Sequence, residues 1–195
     1  MKEWFLNLYS NMETFILSIG YFGVIISSLI IIVESIIPIV PVGIFFALNC
    51  MILGKIPGLI LSYLSTVIGC MLSYLLVNRF FKNRFNRFLS SKKNGQKIIN
   101  FVNNATLTSL TVIMAIPFAP AFLINIAAGL SEKINRQAFL VALLIGKLFL
   151  VYFWGFIGLS LKDSLSNPVV LLKIGLMVLI AYLVSSIVNR KLGVK

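Results

Sequence analysis

Glu34-Ser-Ile-Ile-Pro38-Ile-Val-Pro41 and, further along, Ala115-Ile-Pro117-Phe-Ala-Pro120 are the two stretches that decide how this chain folds. Each puts two prolines three apart into an apolar segment otherwise long enough to cross a bilayer, and the corresponding prolines lie 79 positions apart. Two such prolines remove two amide donors and kink or stop a helix. In hydrocarbon, backbone released in this way must be covered by protein or line a wet cavity. The sequels match as well. Asn49 and Gly54 follow the first stretch, Asn125 and Gly129 the second, and each then leads into an uninterrupted apolar run carrying a glycine, Gly69 or Gly146. Interrupted segments at corresponding places in two halves point to a binding site between the repeats of a transporter-like fold. Re-entrant hairpins are therefore expected at both sites, the alternative being two kinked helices that span fully.

The composition names the solvent. Hydrophobic residues make up 59% of the 195 residues and charged ones 11%, with mean hydropathy +1.03, which is more apolar surface than a soluble domain of this size can hide. There is no histidine, so a histidine base, metal ligand or pH switch is excluded. Cys50 and Cys70 both lie in apolar stretches without metal-ligand spacing and read as small buried hydrophobes. No metal and no cofactor is expected. The N-terminal Met1-Lys-Glu-Trp-Phe lacks the pattern of a cleaved signal peptide, so the first apolar run is expected to stay as a span.

Six apolar blocks follow one another: 15–33, a span; 35–54, the first broken segment; 57–77, a second span; 105–130, the second broken segment; 138–161, a third span with Lys147 inside it; and 168–188, a fourth span. Pro57 and Pro168 sit where a helix tolerates proline, in its first turn. The expected architecture is an all-α polytopic membrane protein forming a single membrane domain over 1–195. Residues 15–77 make the first repeat, 78–104 a basic cytoplasmic loop, 105–161 the second repeat and 168–188 the final span.

Charge sets the orientation. Residues 78–104 hold Arg79, Lys82, Arg84, Arg87, Lys92, Lys93 and Lys97 and no acid, and such a stretch stays cytoplasmic. Lys133 and Arg136, and the C-terminal Arg190, Lys191 and Lys195, agree. Counting crossings with re-entrant hairpins then puts both termini in the cytoplasm and makes the two hairpins enter from opposite faces, an inverted-topology repeat. With fully spanning hairpins the basic loop would fall on the wrong side. Within that loop Phe81, Phe85, Phe88 and Leu89 alternate with Lys82, Arg84 and Arg87 at helical spacing, which suits an amphipathic interfacial helix. Arg79, Lys82, Arg84 and Arg87 are the candidate contacts to anionic headgroups, each worth roughly 1 kcal/mol near an anionic leaflet. Ile98, Ile99, Phe101 and Val102 suggest a second apolar face. The net charge of +12 invites nucleic acid as a partner, but positive-inside topology already accounts for it, so none is expected.

Few groups within the apolar blocks carry chemistry. Glu34 is the only acid between Glu13 and Glu132, and Lys147 is the tenth residue of its block. An ionisable residue at such a depth is a functional candidate by default, with snorkelling or plain pairing as the competing reading. Asn49 and Asn125 add an amide to each half, either for a ligand or to cap backbone groups freed by the prolines; Ser35 and Tyr152 add hydroxyls.

At these residues the chain resembles the DedA and VTT-domain membrane proteins. Its Glu-x-x-x-Pro-x-x-Pro segment is similar to their first re-entrant motif. The stretch Ile116-Pro-Phe-Ala-Pro-Ala-Phe-Leu-Ile-Asn125-Ile-Ala-Ala-Gly129-Leu, followed by Phe139 and Gly146, is similar to the second, in the VTT branch that includes bacterial relatives of eukaryotic Golgi proteins. The resemblance covers about residues 15–188 and carries over onto Glu34, Pro38, Pro41, Pro117, Pro120, Asn125 and Gly129. It implies movement of lipids between leaflets, of undecaprenyl phosphate in bacteria or phospholipids in eukaryotic relatives, with proton coupling proposed for some members. One departure matters: many members carry an arginine just before the second proline motif, and here that stretch is Val112-Ile-Met-Ala-Ile116. Lys147 is the residue available to supply the missing cation.

The expected function is lipid translocation, flippase- or scramblase-like, at a cleft where the two hairpin tips meet. Lys147 and half-helix amides would hold a headgroup phosphate, and Glu34 would take and release a proton. A proton- or ion-coupled transporter of a small solute and a non-catalytic scaffold are the alternatives. An intramembrane enzyme is disfavoured by the lack of an acid pair, a serine-based motif or a metal motif. Lysine exceeding arginine, 12 to 5, points to a bacterial cell membrane, and a homo-oligomer is left open.

Overall fold

In the computed structural model the described residues are 14, 18–38, 42–91, 95–119, 121–166 and 168–192. They form nine helices and no strand: α1 (Tyr21–Ile36), α2 (Gly43–Leu53), α3 (Lys55–Arg79), α4 (Lys82–Ser91), α5 (Gly95–Asn103), α6 (Leu107–Ala115), α7 (Ala121–Leu130), α8 (Arg136–Ser166) and α9 (Pro168–Leu192). Two of them are long and apolar enough to cross a membrane, in α3 and over Arg136–Ile157 of α8. The apolar part of α9, Leu172–Val188, is shorter. The helices α2, α6 and α7, of 11, 9 and 10 residues, reach only about 13–16 Å at 1.5 Å per residue, half a hydrocarbon core.

Both breaks fall at the proline motifs. α1 stops at Ile36, whose successor Ile37 is extended; α6 stops at Ala115, with Ile116 extended and Phe118 at φ 63°. The first broken segment folds back on itself. Gly23 near the start of α1 lies against Ile52 near the end of α2, while Ser27 meets Asn49, so the two helices run antiparallel and share one end. The far end of α1 reaches Gly69, past the middle of α3. A Cβ on Gly69 would lie 2.7 Å from the carbonyl oxygen of Ile32 and from Ser35 Cβ. A Cβ on Gly146 of α8 would lie 2.7 Å from the carbonyl oxygen of Thr111 and 2.8 Å from Met114 Cβ, on α6. The two close approaches are the same contact in each repeat: Ile32 and Thr111, like Ser35 and Met114, are 79 positions apart.

The repeats also exchange their short helices. α2 packs on α8 and α7 packs on α3, while α3 and α8 pack on each other. Tyr63 Oη donates to the Leu144 carbonyl of α8 at 2.7 Å, and Tyr74 Oη donates to the Ile134 carbonyl, just before α8, at 3.1 Å, which ties α3 to α8 and to the segment leading into it. α2 ends where α3 begins, with Gly58 of α3 pressed against Asn49 and Cys50. α7 ends at the other end of α3, with Gly129 against Tyr74 and Val77 and Asn78 Nδ2 donating to the Gly129 carbonyl at 3.0 Å. The short helices α2 and α7 thus end at opposite ends of α3.

The first repeat differs from expectation in one respect. Block 15–33 was expected to be a separate crossing, with a whole hairpin inside 35–54. Instead α1 runs unbroken through Glu34 to Ile36 and starts beside Ile52, so α1 and α2 form one antiparallel pair to which 35–54 contributes a single short helix and a turn. The reason is length: 35–54 holds one helix of 11 residues and a turn, with no room for two limbs.

Two apolar clusters make the core. The larger joins α3, α5, α6, α7 and α8 around Ile124, Ile126, Phe139 and Leu143. The smaller joins Ile31, Phe46, Leu150 and Val151. In the basic segment Ile98 and Val102 are buried in the larger cluster, so the second apolar face of that segment is turned into the protein. The outward faces of α1, α3, α8 and α9 expose large apolar side chains such as Phe22, Leu29, Ile68, Phe149 and Leu172, as a bilayer-facing surface does.

Candidate functional site

The face of α8 that carries Phe139, Leu143, Lys147 and Leu150 is buried along its length, by the four-residue periodicity of a helix. Lys147 stands at the seam between the two clusters: Leu143 belongs to the larger and Leu150 to the smaller. Its side chain is 3% exposed, and its ammonium has no hydrogen-bond or ion-pair partner among the described residues. It lies within electrostatic reach of the half-buried Glu34 carboxylate, beyond ion-pair contact.

Glu34 occupies the last turn of α1, where carbonyls lack intrahelical donors because the helix stops before Pro38. One of these carbonyls, that of Ser35, accepts a hydrogen bond from Asn125 Nδ2 of α7 at 3.5 Å. Asn125 therefore caps the broken end of the other repeat. It is 1% exposed, and its Oδ1 has no partner among the described residues. Asn49 behaves differently. It is fully buried and clamped, taking the Ser27 hydroxyl on Oδ1 and donating from Nδ2 to Ser62 Oγ at 3.0 Å. That network joins α1, α2 and α3 and engages both ends of the Asn49 amide. The polar partners Ser27 and Ser62 were not singled out from the sequence, although both are hydroxyls within apolar runs.

Trp154 brings the two breaks together. The Phe118 ring meets it edge-on at 5.3 Å between centroids. Gly43, the first residue of α2, approaches so closely that a Cβ there would lie 2.7 Å from its Cε3 atom. Pro117 is buried beside this junction and Pro38 is exposed. Pro41 and Pro120 lie outside the described residues. Tyr152 is 56% exposed and turned outward, away from the site, and the Ser35 hydroxyl is spent on the Ile31 carbonyl at 2.9 Å. Nothing in the sequence distinguished Trp154 from the other aromatic residues of its helix.

On the basic segment, Arg79, Lys82, Arg84 and Arg87 are all exposed. Arg79 lies over the Phe80 ring at 5.9 Å, and Lys82 pairs with Glu132 at 3.6 Å, a solvent-exposed contact of small energetic value. Among the described residues no three His, Cys, Asp or Glu side chains gather as a metal site would require.

Comparison with known proteins agrees with this arrangement. Residues 37–160, from the first break through most of α8, match the VTT domain. The chain is 27% identical over 174 residues to the uncharacterized membrane protein YhjE of Bacillus subtilis (strain 168), covering 89% of this chain and 84% of that protein. It is also 27% identical over 129 residues to the uncharacterized protein YqeD of the same organism, covering 66% of this chain and 62% of that protein. No solved structure matches. With both proline pairs, Gly69, Gly146 and Asn125 inside the matched region, the chain belongs to the VTT-domain (DedA) family of membrane proteins and is of the bacterial kind.

Proposed function

We propose that this protein moves lipid headgroups between the two leaflets of the bacterial cell membrane. The observation that carries the reading is Lys147, a cation 3% exposed and without a direct partner among the described residues, next to Gly146, which packs against the broken end of α6. An ammonium in a low-dielectric site without a counter-ion in contact is costly, and an intramembrane charge of this kind marks a substrate path. Helices that stop inside the bundle leave backbone groups free to meet a polar ligand. The exposed apolar faces on either side would keep acyl chains in hydrocarbon while the headgroup passes.

In this reading the two broken segments are re-entrant hairpins. The first enters from the extracytoplasmic side at the Lys55 end of α3, and the second from the cytoplasmic side at the Arg79 end. The basic residues of α4 would rest on the anionic inner leaflet. α8 then crosses outward and α9 returns, which leaves the C-terminus in the cytoplasm. Glu34, half-buried within reach of Lys147, is the group that would exchange a proton as the cleft changes its exposure.

The test is a leaflet-translocation assay on the purified full-length protein in proteoliposomes, with acyl-labelled phospholipids and a polyprenyl phosphate supplied in parallel. Protein-dependent loss of leaflet asymmetry for at least one lipid is the expected result. Unchanged asymmetry for every lipid, with uptake of a soluble solute instead, would turn the reading to small-solute transport.

A further inference from the structure

The geometry points to a separate ligand site that shares no residue with Lys147 or the breaks. A cleft between α5 and α6 takes a phosphodiester bearing a free hydroxyl, the chemistry of a phosphoglycerol headgroup. This site does not depend on the translocation reading.

The cleft has a volume of about 380 Å³ and is lined by Lys97, Asn100, Phe101, Asn104, Ala105 and Ser109. That volume lies at the lower end of small-molecule sites, roughly 300–1,000 Å³. Helix periodicity builds it. Ile98 and Val102 turn one face of α5 into the larger apolar cluster, which leaves Lys97, Asn100 and Phe101 together on another. The chain then turns through Asn104 and Ala105 into α6, whose first turn supplies Ser109.

The polar groups of the cleft are not equally free. Ser109 Oγ accepts from the Thr106 amide at 3.0 Å and donates to the Thr106 carbonyl at 3.2 Å, so it forms wall. Asn104 Nδ2 donates to the Asn100 carbonyl at 2.9 Å. A carbonyl can only accept, so this bond fixes the amide and leaves Asn104 Oδ1 as an acceptor. The Asn100 amide and the Lys97 ammonium have no hydrogen-bond or ion-pair partner among the described residues. No acid occurs anywhere in residues 35–131, which include α4, α5, α6 and α7, so none of these helices offers the ammonium a carboxylate.

These groups select a ligand. One lysine balances the single charge of a phosphodiester, whereas a dianionic monoester would stay half compensated. Asn100 can donate to a second phosphoryl oxygen. Asn104 Oδ1 calls for a donor close to the phosphate. An ammonium there would sit beside Lys97 and be repelled, so the fitting donor is a hydroxyl. Phe101 and Ala105 give the glycerol carbons an apolar edge. The same chemistry reaches the cleft from an inner-leaflet lipid or from a soluble glycerophosphodiester.

The deciding experiment measures equilibrium binding of the first lipid by native mass spectrometry on the purified full-length protein. Phosphatidylglycerol is compared with phosphatidylmethanol, which has the same charge and no headgroup hydroxyl. Phosphatidylglycerol should bind at least about threefold more tightly, as one hydrogen bond to a partly solvated acceptor allows. In Asn104→Ala that ratio should fall toward one. Lys97→Gln should weaken phosphatidylglycerol binding at least about fivefold, while Lys133→Gln, which removes an exposed cation elsewhere, should leave it unchanged. Displacement of the lipid by glycerophosphoglycerol at similar concentration supports the site with a soluble ligand, and failure to displace supports it with the lipid. Equal binding of the two lipids by wild-type protein would overturn the inference, as would equal losses in Lys97→Gln and Lys133→Gln, since charge alone would then attract the anion. The wild-type comparison decides even where a variant does not fold.

Discussion

At the residue scale, the two asparagines that the sequence presents as a matched pair have separate work. Asn49 closes a network with Ser27 and Ser62 in the first repeat. Replacing it with alanine strips the Ser62 hydroxyl of its amide donor and leaves Ser27 only the Val24 carbonyl, and Asn49→Ala is expected to lower stability by about 1–3 kcal/mol. Thermal unfolding of the purified variant in detergent, compared with wild type, measures this. Glu34 and Lys147 are expected to behave oppositely, with folding kept and function lost. Glu34→Gln preserves volume while removing the charge and the proton site, so translocation should fall to near background with expression unchanged; a fully active variant would remove proton exchange at Glu34 from the mechanism. Lys147→Met should weaken binding of anionic headgroups at least about tenfold, since it deletes the cation of a desolvated site. Lys147→Arg should keep part of that binding, because charge remains while geometry changes. Headgroup affinity measured by lipid titration separates the three.

At the scale of the element, helix contact is governed by glycine. Gly69 and Gly146 each admit the backbone of a broken helix to within a distance that a methyl group would occupy. Small residues let helices approach closely in a membrane, where packing rather than the hydrophobic effect holds them together. Gly69→Ala and Gly146→Ala are each expected to destabilise by about 1–3 kcal/mol, the cost of overpacking a tight contact. Gly175 on α9 has open space where its Cβ would be, so Gly175→Ala should be neutral or mildly stabilising. Melting temperatures of the three alanine variants test the contrast; equal losses at all three would mean that close approach is not what these glycines provide.

At the scale of the whole molecule, the expectation is a bundle whose two hairpins enter from opposite faces. Single cysteines at Ile56 and Lys97, in a background lacking Cys50 and Cys70, should react with a membrane-impermeant thiol reagent from opposite sides of the membrane, Lys97 only from the cytoplasm. Both lie at exposed positions. Labelling of position 97 in intact cells would reverse the orientation and with it the assignment of the basic segment to the inner leaflet.

Much of this was legible in one dimension. The membrane class follows from composition, because apolar surface on this scale has nowhere to hide in water. The breaks follow from the proline pairs, because a missing amide donor is a local property. The twofold repetition follows from the spacing of 79, because it is a count along the chain. Contacts between the halves were beyond reach of the sequence. That α1 pairs antiparallel with α2 and lies against α3 depends on where Gly23 and Gly69 find their neighbours. That Asn49 is sealed while Asn125 keeps a free acceptor depends on hydroxyls 22 and 13 positions from Asn49 and on a carbonyl 90 positions from Asn125. That Trp154 joins the two breaks depends on α8 passing both. A polar side chain's role is set by which partners the fold brings to it, and that is decided only when distant segments pack.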